Sequence, residues 1–524
     1  MNVRVRGFEL FKAGLINGLK SIRSLADLTQ ISKSSVHRHQ QAMKRRNLHP
    51  ESYFWETPDG YQWLRLLVFA TVYIFGIQQG VGCEVISRFF HLLRLQNVIG
   101  VSPTSLRRIE AQMREQILNY SSQIQQQLKN NPTTLFIQAG ADETFFPEVV
   151  LVLMDLVSGY IILEDFSHDR QYLTWSQKAE KALQNLGGMV VVKSLVSDRA
   201  KALIQLAVQG FDCASIPDLF HAMRGISKVV GSCFGSRLNH LKKQLRTLHS
   251  QVLNYTQKRQ PIPERLSQQI TVLQEEYNFF LTGQQAYHNI LHQITCVVHP
   301  FAIDGSGFQS TVDVATALYQ LLPQLAAVGH TYQIAKLDKA IKVFSGQIAA
   351  MAAGINLWWQ SVEESLLLEE IDVEMSDWLL KYFLPHFYWR SVIAQTKNPT
   401  LCQIYEPTSM EALSRLLLHP LTSKLDRDEW ARWRNWATLM SAKFQRSSSA
   451  IEGRNGYLSR LHHCGRGISQ QQLQVLTVIH NFDLKRTDGT TAAQRLFAVE
   501  FPNLFEWVIL QMGDLPLPRK SSSF

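Results

Sequence analysis

The stretch that most constrains the fold runs from residue 133 to residue 221, where short apolar runs alternate with turns. The apolar runs cover residues 135–137, 149–154, 160–163, 189–196 and 213–216. Tight turns join the first three runs, and the pattern between the third and fourth runs is typical of a helix over 171–186. We therefore predict an α/β core, a mixed sheet covered by helices.

Acidic residues follow two of these runs. Asp142 and Glu143 come after the first run, and Asp198 comes after the fourth. We expect Asp142 and Asp198 at neighbouring strand ends, where their repulsion is unfavourable unless a cation or a basic side chain neutralises it. Carboxylate oxygens suit Mg²⁺, and two such ions about 4 Å apart are the usual clamp for attack on a phosphodiester. Alternatively, both aspartates cap helices or turns after strands.

A third acidic residue lies far downstream, in the segment from 444 to 456. Glu452, Gly453, Arg454 and Asn455 follow a run of three serines there. The arrangement resembles the DDE transposases of the RNase H-like superfamily. In that group the first Asp follows the first strand, the second Asp follows the fourth strand, and the Glu opens a later helix. The Glu-Gly-x-Asn sequence also resembles the Glu-helix signature of several bacterial insertion-sequence transposases.

The resemblance implies an RNase H-like mixed sheet core with a large all-α insertion and an N-terminal helix-turn-helix region. It implies an enzyme that binds transposon ends, cuts them and joins the freed 3′-hydroxyl to target DNA. Asp142, Asp198 and Glu452 would hold two Mg²⁺ ions, for which Mn²⁺ would substitute. The partner would be double-stranded DNA, bound by a homodimer or higher oligomer in the bacterial cytoplasm at the nucleoid.

The charge and cysteine patterns agree with these expectations. The formal charge is +10, and residues 1–50 carry ten Lys and Arg against two acids. Residues 222–265 carry nine Lys and Arg against one acid, while 363–377 is an acidic patch. Such clustering favours a polyanionic partner. Six cysteines without a CxxC pair indicate a reducing compartment and argue against a zinc site.

No membrane partner is expected. The first residues contain no signal-peptide core. The apolar run over 66–77 is too short to span a bilayer.

Residues 24–39 resemble a helix-turn-helix. Small and apolar side chains at 25, 26, 31 and 36 fall where that motif packs its two helices, and Ser32 is the predicted N-cap of the second. Gln30 stands where the motif usually has glycine. The residues predicted to contact DNA are Lys33, Ser34, His37, Arg38, Lys44, Arg45 and Arg46. Alternatively, this segment is a basic amphipathic helix packed on the core.

Two further groups of residues are candidates beside the acidic triad. The Asp218-x-x-His221 sequence resembles the C-x-x-H that the hAT and V(D)J-recombinase groups place before a helical insertion, with Asp for Cys; a helix-capping Asp with a buried His is the alternative. Glu143 is the carboxylate most easily confused with Asp142. Arg454, Asn455 and Arg460 are predicted DNA contacts, where cations would stabilise phosphate charge, although they could equally be solvated.

The segment between Asp198 and Glu452 is patterned for helices. Apolar residues repeat at spacings of three and four over 241–255 and 266–280, on either side of a Pro-containing turn at 260–263. This predicts an antiparallel helical hairpin. The predicted regions are a helix-turn-helix at 1–50, a helical second DNA-binding region at 51–130, the first part of the core at 131–221, an all-helical insertion at 222–440, and the Glu helix with closing helices at 441–524.

Two alternative functions remain open on the sequence alone. One is a metal-dependent DNA nuclease on the same fold, without strand transfer. The other is a catalytically silent DNA-binding regulator that uses only the helix-turn-helix. A joined DNA product distinguishes the first from a transposase, and a divalent-metal cleavage test decides the second.

Overall fold

A computed structural model of the chain describes residues 18, 21–46, 54–55, 57–130, 134–187, 190–465 and 467–518. The described chain is mixed α/β with a large helical part. The helices before the sheet are α1 (Ile22–Thr29), α2 (Lys33–Arg46), α3 (Pro58–Thr71), which continues as a π-helical segment (Val72–Gln78), α4 (Cys83–Leu92) and α5 (Pro103–Asn130).

Helices α1 and α2 pack against each other through a small core of their own. Leu25, Ala26 and Val36 are buried there. The Ser32 hydroxyl accepts a hydrogen bond from the Ser35 backbone N–H at 3.3 Å, which confirms the predicted helix cap. Gln30 joins the helices in a left-handed conformation with φ of 54°, a conformation that glycine adopts most readily.

A five-stranded mixed sheet forms the α/β part of the chain. Its strands are β1 (Leu135–Phe145), β2 (Val149–Asp155), β3 (Ile161–Ser167), β4 (Val190–Ser197) and β5 (Ala214–Pro217). The spatial order is β3-β2-β1-β4-β5. Strands β1 to β3 pair antiparallel, and β4 pairs parallel with both β1 and β5. Each strand overlaps an apolar run that predicted it.

The predicted end of β1 is wrong. The strand does not stop before Gly140 but continues to Phe145, because residues 139–145 pair with 149–155 on β2. Asp142 therefore lies within the strand and not at its end. The apolar pattern missed this because hydrogen bonding to β2, and not side-chain hydrophobicity, extends the strand.

Helices connect the later strands and form the rest of the chain. Helix α6 (Tyr172–Gln184) joins β3 to β4, and α7 (Lys201–Gln205) lies between β4 and β5. The others are α8 (Leu219–Gln257), α9 (Glu264–Val297), α10 (Thr311–Thr331), α11 (Leu337–Ser345), α12 (Ile348–Leu367), α13 (Val373–Trp378), α14 (Leu384–Gln395), α15 (Pro399–Leu418), α16 (Arg427–Lys443), α17 (Ser449–Cys464), α18 (Gln470–Phe482), α19 (Ala492–Phe497) and α20 (Leu504–Gln511).

The long helices α8 and α9 form the predicted antiparallel hairpin. Leu241, Leu245 and Leu266 are buried in its seam, whereas Leu253 and Val272 are exposed. Further along the insertion, the chain breaks between α11 and α12. From α8 to α16 the described chain is helices and loops, with an isolated bridge between Phe301 and Phe308. The division into five regions stays a prediction.

Two helical stretches are long and apolar enough to cross a membrane, by length and composition alone. They are Pro58–Gln78 and Leu337–Leu367. The first has 56% of its most apolar window buried inside the protein. The second is divided by the turn between α11 and α12. Core helices have the same length and composition, so these stretches are weak evidence for a membrane span.

The two faces of the sheet have separate cores. One core contains Ile137, Ala139 and Ala141 of β1 with Trp175 of α6. The other contains Val150, Val152 and Met154 of β2 with Ile451, Leu458 and Leu461 of α17. Since Asp142 pairs with Val152 and alternate residues of a strand point to opposite faces, Asp142 lies on the face that α17 covers.

Candidate active site

The two aspartates are aligned by the register of β1 and β4. Gly140 pairs with Val196 across these parallel strands. Asp142 lies two residues beyond this pair on β1, and Asp198 lies two residues beyond it just after β4, so the two are neighbours at the carboxyl end of β4. Asp198 directly follows β4 and is exposed, and its Oδ1 accepts a hydrogen bond from the Ala200 N–H at 2.8 Å.

Helix α17 lies directly over β1 because Gly140 has no side chain. A Cβ on Gly140 would be 2.6 Å from Leu156 Cδ2 and 2.8 Å from Ile451 Cδ1. The close approach places two polar residues of α17 near Asp142. Asn455 Nδ2 donates to Asp142 Oδ2 at 2.9 Å, and Glu452 lies one turn earlier on the same helix. Asn455, predicted to contact DNA, is thus engaged with Asp142.

Arg454 is buried, which corrects its predicted role as a DNA contact. Only 4% of the residue is exposed. Its Nε donates to Glu164 Oε1 at 2.8 Å and its Nη2 to Glu164 Oε2 at 2.6 Å. The Thr477 hydroxyl of α18 donates to the same carboxylate at 2.6 Å. Arg454 has no free face for a phosphate, and instead fixes α17 against β3 and α18.

Asp218 confirms the helix-capping interpretation and also connects two elements of the site. It is 1% exposed and accepts a hydrogen bond from the His221 N–H at 2.9 Å, at the start of α8. Its other carboxylate oxygen accepts from the Ser448 N–H at 2.5 Å and hydroxyl at 2.7 Å, just before α17. Asp218 therefore ties the end of β5 to the start of the helix that carries Glu452.

His221 lies between the capping aspartate and the predicted catalytic glutamate. Its Nδ1 is 3.6 Å from Asp218 Oδ1, and its Nε2 is 3.8 Å from Glu452 Oε1. The neighbouring Asp218 carboxylate raises the pKa of His221, and the charges of Asp142 and Glu452 add to the rise while burial opposes it. Burial alone would raise the pKa of Asp218, but hydrogen bonds from His221 and Ser448 hold it below its ordinary value.

The charges of both other predicted carboxylates act on Asp142. Burial raises the pKa of Asp142, and the charges of Asp198 and Glu452 raise it further, while the Glu143 backbone N–H and His221 lower it. The structure thus brings together three residues that are distant in the sequence. Asp142 is partly buried, while Glu452 has 40% of its side chain exposed.

Glu143 faces the opposite side of the sheet from Asp142. It is 9% exposed, and Trp175 Nε1 donates to its Oε1 at 3.4 Å. Arg170 Nη1 lies 3.7 Å from its other carboxylate oxygen. Burial raises the pKa of Glu143, and the charges of Asp198 and Asp142 raise it further, while the hydrogen bond from Trp175 and the charge of Arg170 lower it. Although it is adjacent in sequence, Glu143 therefore occupies a different environment from Asp142.

The donor chemistry of the site fits Mg²⁺, although the carboxylates are not gathered into a closed coordination shell. Within the described residues, no group of three or more His, Cys, Asp and Glu side chains is arranged to hold a metal. The oxygens available are those of Asp142, Asp198 and Glu452. Beside them the buried Asn455 Oδ1 has no hydrogen-bond partner. Hard oxygen donors of this kind are the ligands that Mg²⁺ prefers.

The remaining predicted DNA contacts lie elsewhere. Arg460 is exposed on α17, with its guanidinium 5.7 Å from the centre of the Tyr457 ring. The side chains of Lys33, Ser34, His37 and Arg38 are exposed on α2. Lys44, Arg45 and Arg46 belong to the last turns of α2, and their side chains lie outside the described residues.

Sequence reasoning missed three residues that build the site, namely Gly140, Glu164 and Thr477. Glu164 gave one usable signal, since a carboxylate within an apolar strand requires a partner when it is buried. Gly140 and Thr477 gave none, because their importance comes from contacts with residues more than 300 positions away.

Comparison with known proteins adds a family match over the C-terminal part. Residues 379–524 match the sequence model of a family of unknown function, DUF6399. The match includes α17 with Glu452 and Asn455, and it lies C-terminal to the sheet with Asp142 and Asp198. No curated protein matches the chain. No solved structure matches it either.

Proposed function

We propose that this chain is a DNA transposase, an enzyme that binds transposon ends, cuts them and joins them to target DNA. The proposal is supported by two observations: Asp142 and Asp198 each lie two residues beyond a paired position of β1 and β4, and α17, which carries Glu452, is bonded to Asp142 through Asn455. Asp198 directly follows the fourth strand and Glu452 lies in the first turn of a later helix, the positions that the resemblance to DDE transposases assigns to the second and third catalytic carboxylates. Asp142 lies on the first strand, within it and not after its end.

The residues of the site have distinct roles under this proposal. Asp142, Asp198 and Glu452 would hold two Mg²⁺ ions, with the Asn455 amide beside them. Bound there, the ions would activate the attacking oxygen and neutralise charge on the phosphodiester. Protonated His221 would offset part of the repulsion among the carboxylates. Arg454 and Asp218 would fix the position of α17, so that Glu452 faces the two aspartates.

Two basic surfaces would bind the DNA. Helices α1 and α2, interpreted as a helix-turn-helix, would present the exposed start of α2 to base edges. The hairpin of α8 and α9 exposes Lys242, Lys243 and Arg246 on its first helix, where they would contact phosphates. Both assignments rest on exposure and charge.

The test is cleavage of labelled DNA that carries the ends of the element, with Mg²⁺ or with a chelator. Wild type should cut the ends only with the metal and should form a joined product. Alanine at Asp142, Asp198 or Glu452 should abolish cutting and leave DNA binding nearly unchanged, because positioning and charge neutralisation carry the chemistry. Glu180→Gln, at an exposed acid on α6, is the matched control and should cut like wild type.

Three other outcomes of this assay would favour a different function or site. Cutting without any joined product would favour the metal-dependent nuclease. Binding without cutting by the wild type would favour the silent regulator. Full cutting by all three alanine variants would overturn the assignment of the site.

A further inference from the structure

The helical part of the chain contains a cavity that none of the predicted site residues lines. Its volume is about 330 Å³, and it lies between the loop at 301–308, the start of α14 and helix α15. Of the four aromatic residues around it, Phe308 is 46% exposed and Tyr382 is partly exposed, whereas Phe301 and Trp389 are buried in the core beneath. This volume is in the range of small-molecule sites, and the exposed rings of Phe308 and Tyr382 offer flat faces to a planar ligand.

The loop that forms one wall is held in place before any ligand binds. Gln309 Nε2 donates to the backbone carbonyls of His299 at 2.9 Å and of Phe301 at 3.2 Å. The Thr408 hydroxyl donates to the Ile303 carbonyl. These bonds hold both sides of the loop, so ordering the loop on ligand binding would cost little binding free energy.

One edge of the cavity presents a hydrogen-bond donor and an acceptor side by side. Arg415 Nη2 pairs with Glu411 Oε1 at 2.5 Å, and Arg415 Nη1 donates to the Gly305 carbonyl at 2.7 Å. Gly305 makes room for the carboxylate, because a Cβ there would lie 2.8 Å from Glu411 Oε2. Both charged side chains are about half exposed, so they have further hydrogen-bonding capacity.

We propose that this cavity binds a nucleobase or a closely similar heteroaromatic ring. The ring would stack on the exposed faces of Phe308 and Tyr382. The edge of the ring would donate N–H bonds to Glu411 and accept from Arg415. This site goes beyond the proposed function and does not depend on it, since its lining does not include Asp142, Asp198 or Glu452. A free nucleoside and a base in a single strand offer the same chemistry.

The experiment titrates the full-length protein with adenosine, guanosine and cytidine, and separately with a single-stranded oligonucleotide. Saturation-transfer NMR and quenching of tryptophan fluorescence report binding. Phe308→Ala and Glu411→Gln should each weaken binding at least about fivefold, because the first removes a stacking surface and the second replaces one carboxylate oxygen with an NH2 group and removes the negative charge. Phe279→Ala on α9 is the matched control, because Phe279 and Phe308 are both 46% exposed.

Nucleoside binding would identify a free ligand, and binding of the oligonucleotide alone would identify a base within a strand. Absence of binding by both probes overturns the proposal, as does binding that Phe308→Ala and Glu411→Gln leave unchanged. Benzoate serves as an aromatic probe without N–H donors. If it binds as tightly as the nucleosides, the base-edge recognition is wrong.

Discussion

The ionised carboxylate of Asp142 lowers the free energy of unfolding, because it is partly buried. Burial is the main cause of its raised pKa, and Asp198 and Glu452 contribute further repulsion. The pKa in the folded state lies above the ordinary value of 3.8, so between these two values the folded protein binds more protons than the unfolded chain. The free energy of unfolding therefore falls as pH rises through that window. Above the window the whole decrease is present.

Replacing Asp142 with Asn should increase the free energy of unfolding at pH 7, because a neutral amide replaces the buried charge. The gain should shrink as pH is lowered through the raised pKa and should vanish near 3.8. Chemical denaturation of variant and wild type across this pH range measures it. Asp198→Asn, at an exposed position, should change stability by less than about 0.5 kcal/mol. An Asp142→Asn protein less stable than wild type at neutral pH would refute the burial argument.

Arg454 shows what a single sequence cannot reveal about a residue. In the sequence it is a basic residue two positions after Glu452, which favours a role with phosphate. In the structure its partner is Glu164, 290 residues away, and no local pattern indicates that pairing. By contrast, the roles of Leu25, Ala26 and Val36 were predictable, because their spacing encodes a short-range packing.

Replacing Arg454 with Met should lower the free energy of unfolding by about 3–5 kcal/mol, because Glu164 would remain buried without its partner. The double variant with Glu164→Gln should lose less than the sum of the two single variants, since the two residues form one pair. Urea denaturation of all four proteins gives the comparison. Arg460→Ala, on the exposed side of the same helix, should cost less than about 0.5 kcal/mol. Equal costs at 454 and 460 would contradict the buried pair.

At the scale of helices and strands, sequence patterns predicted those elements whose formation depends on residues close in the sequence. The strands appeared as apolar runs, and the hairpin of α8 and α9 appeared as spacings of three and four. The end of β1 depends on pairing with β2, and the break between α11 and α12 is not marked by proline. The close packing of α17 on β1 depends on Gly140. The sequence does not show this, because the contact is with Ile451, which is distant in the sequence.

Replacing Gly140 with Ala should lower the free energy of unfolding by about 1–3 kcal/mol, because the added methyl group would overlap Leu156 and Ile451. It should also reduce metal-dependent cleavage to the extent that α17, and not only the Ile451 side chain, shifts away from Asp142. Thermal denaturation and the cleavage assay measure the two effects.

Gly453→Ala is the matched control on α17, where a Cβ would meet nothing within 4 Å. That change should stabilise the protein by about 0.5–1 kcal/mol, because alanine is the better helix former. A Gly140→Ala protein as stable as wild type would show that the close approach is not required.

At the scale of the whole molecule, the basic hairpin is connected to the acidic site through its base. Helix α8 starts at the Asp218 cap, and the Leu219 N–H donates to the Arg446 carbonyl at 2.9 Å. The Arg446 side chain donates to the carbonyls of Thr295 at 2.7 Å and Val298 at 3.1 Å, where α9 ends. Arg446 precedes α17 by three residues. The base of the hairpin is therefore bonded to the segment that leads into α17, the helix that carries Glu452.

The sequence has two basic segments, at 1–50 and at 222–265, and in the second segment Lys242, Lys243 and Arg246 are exposed. Replacing Lys242, Lys243 and Arg246 with Gln should weaken DNA binding for all sequences alike, because phosphate contacts carry no sequence information. The slope of log affinity against log salt should fall by about 0.9 for each phosphate that the variant no longer neutralises. Replacing Ser34 and His37 should instead change which sequence is preferred, with little change in slope.

Fluorescence anisotropy with transposon-end DNA and random DNA at several salt concentrations separates these effects. The control replaces Lys424, Arg427 and Arg434, which are equally exposed but lie among the acids at 426, 428 and 429. Because those acids offset their charge, this variant should keep the wild-type slope. If the hairpin variant also keeps it, the hairpin does not contact phosphate, and the positive charge of residues 1–50 must account for the salt dependence.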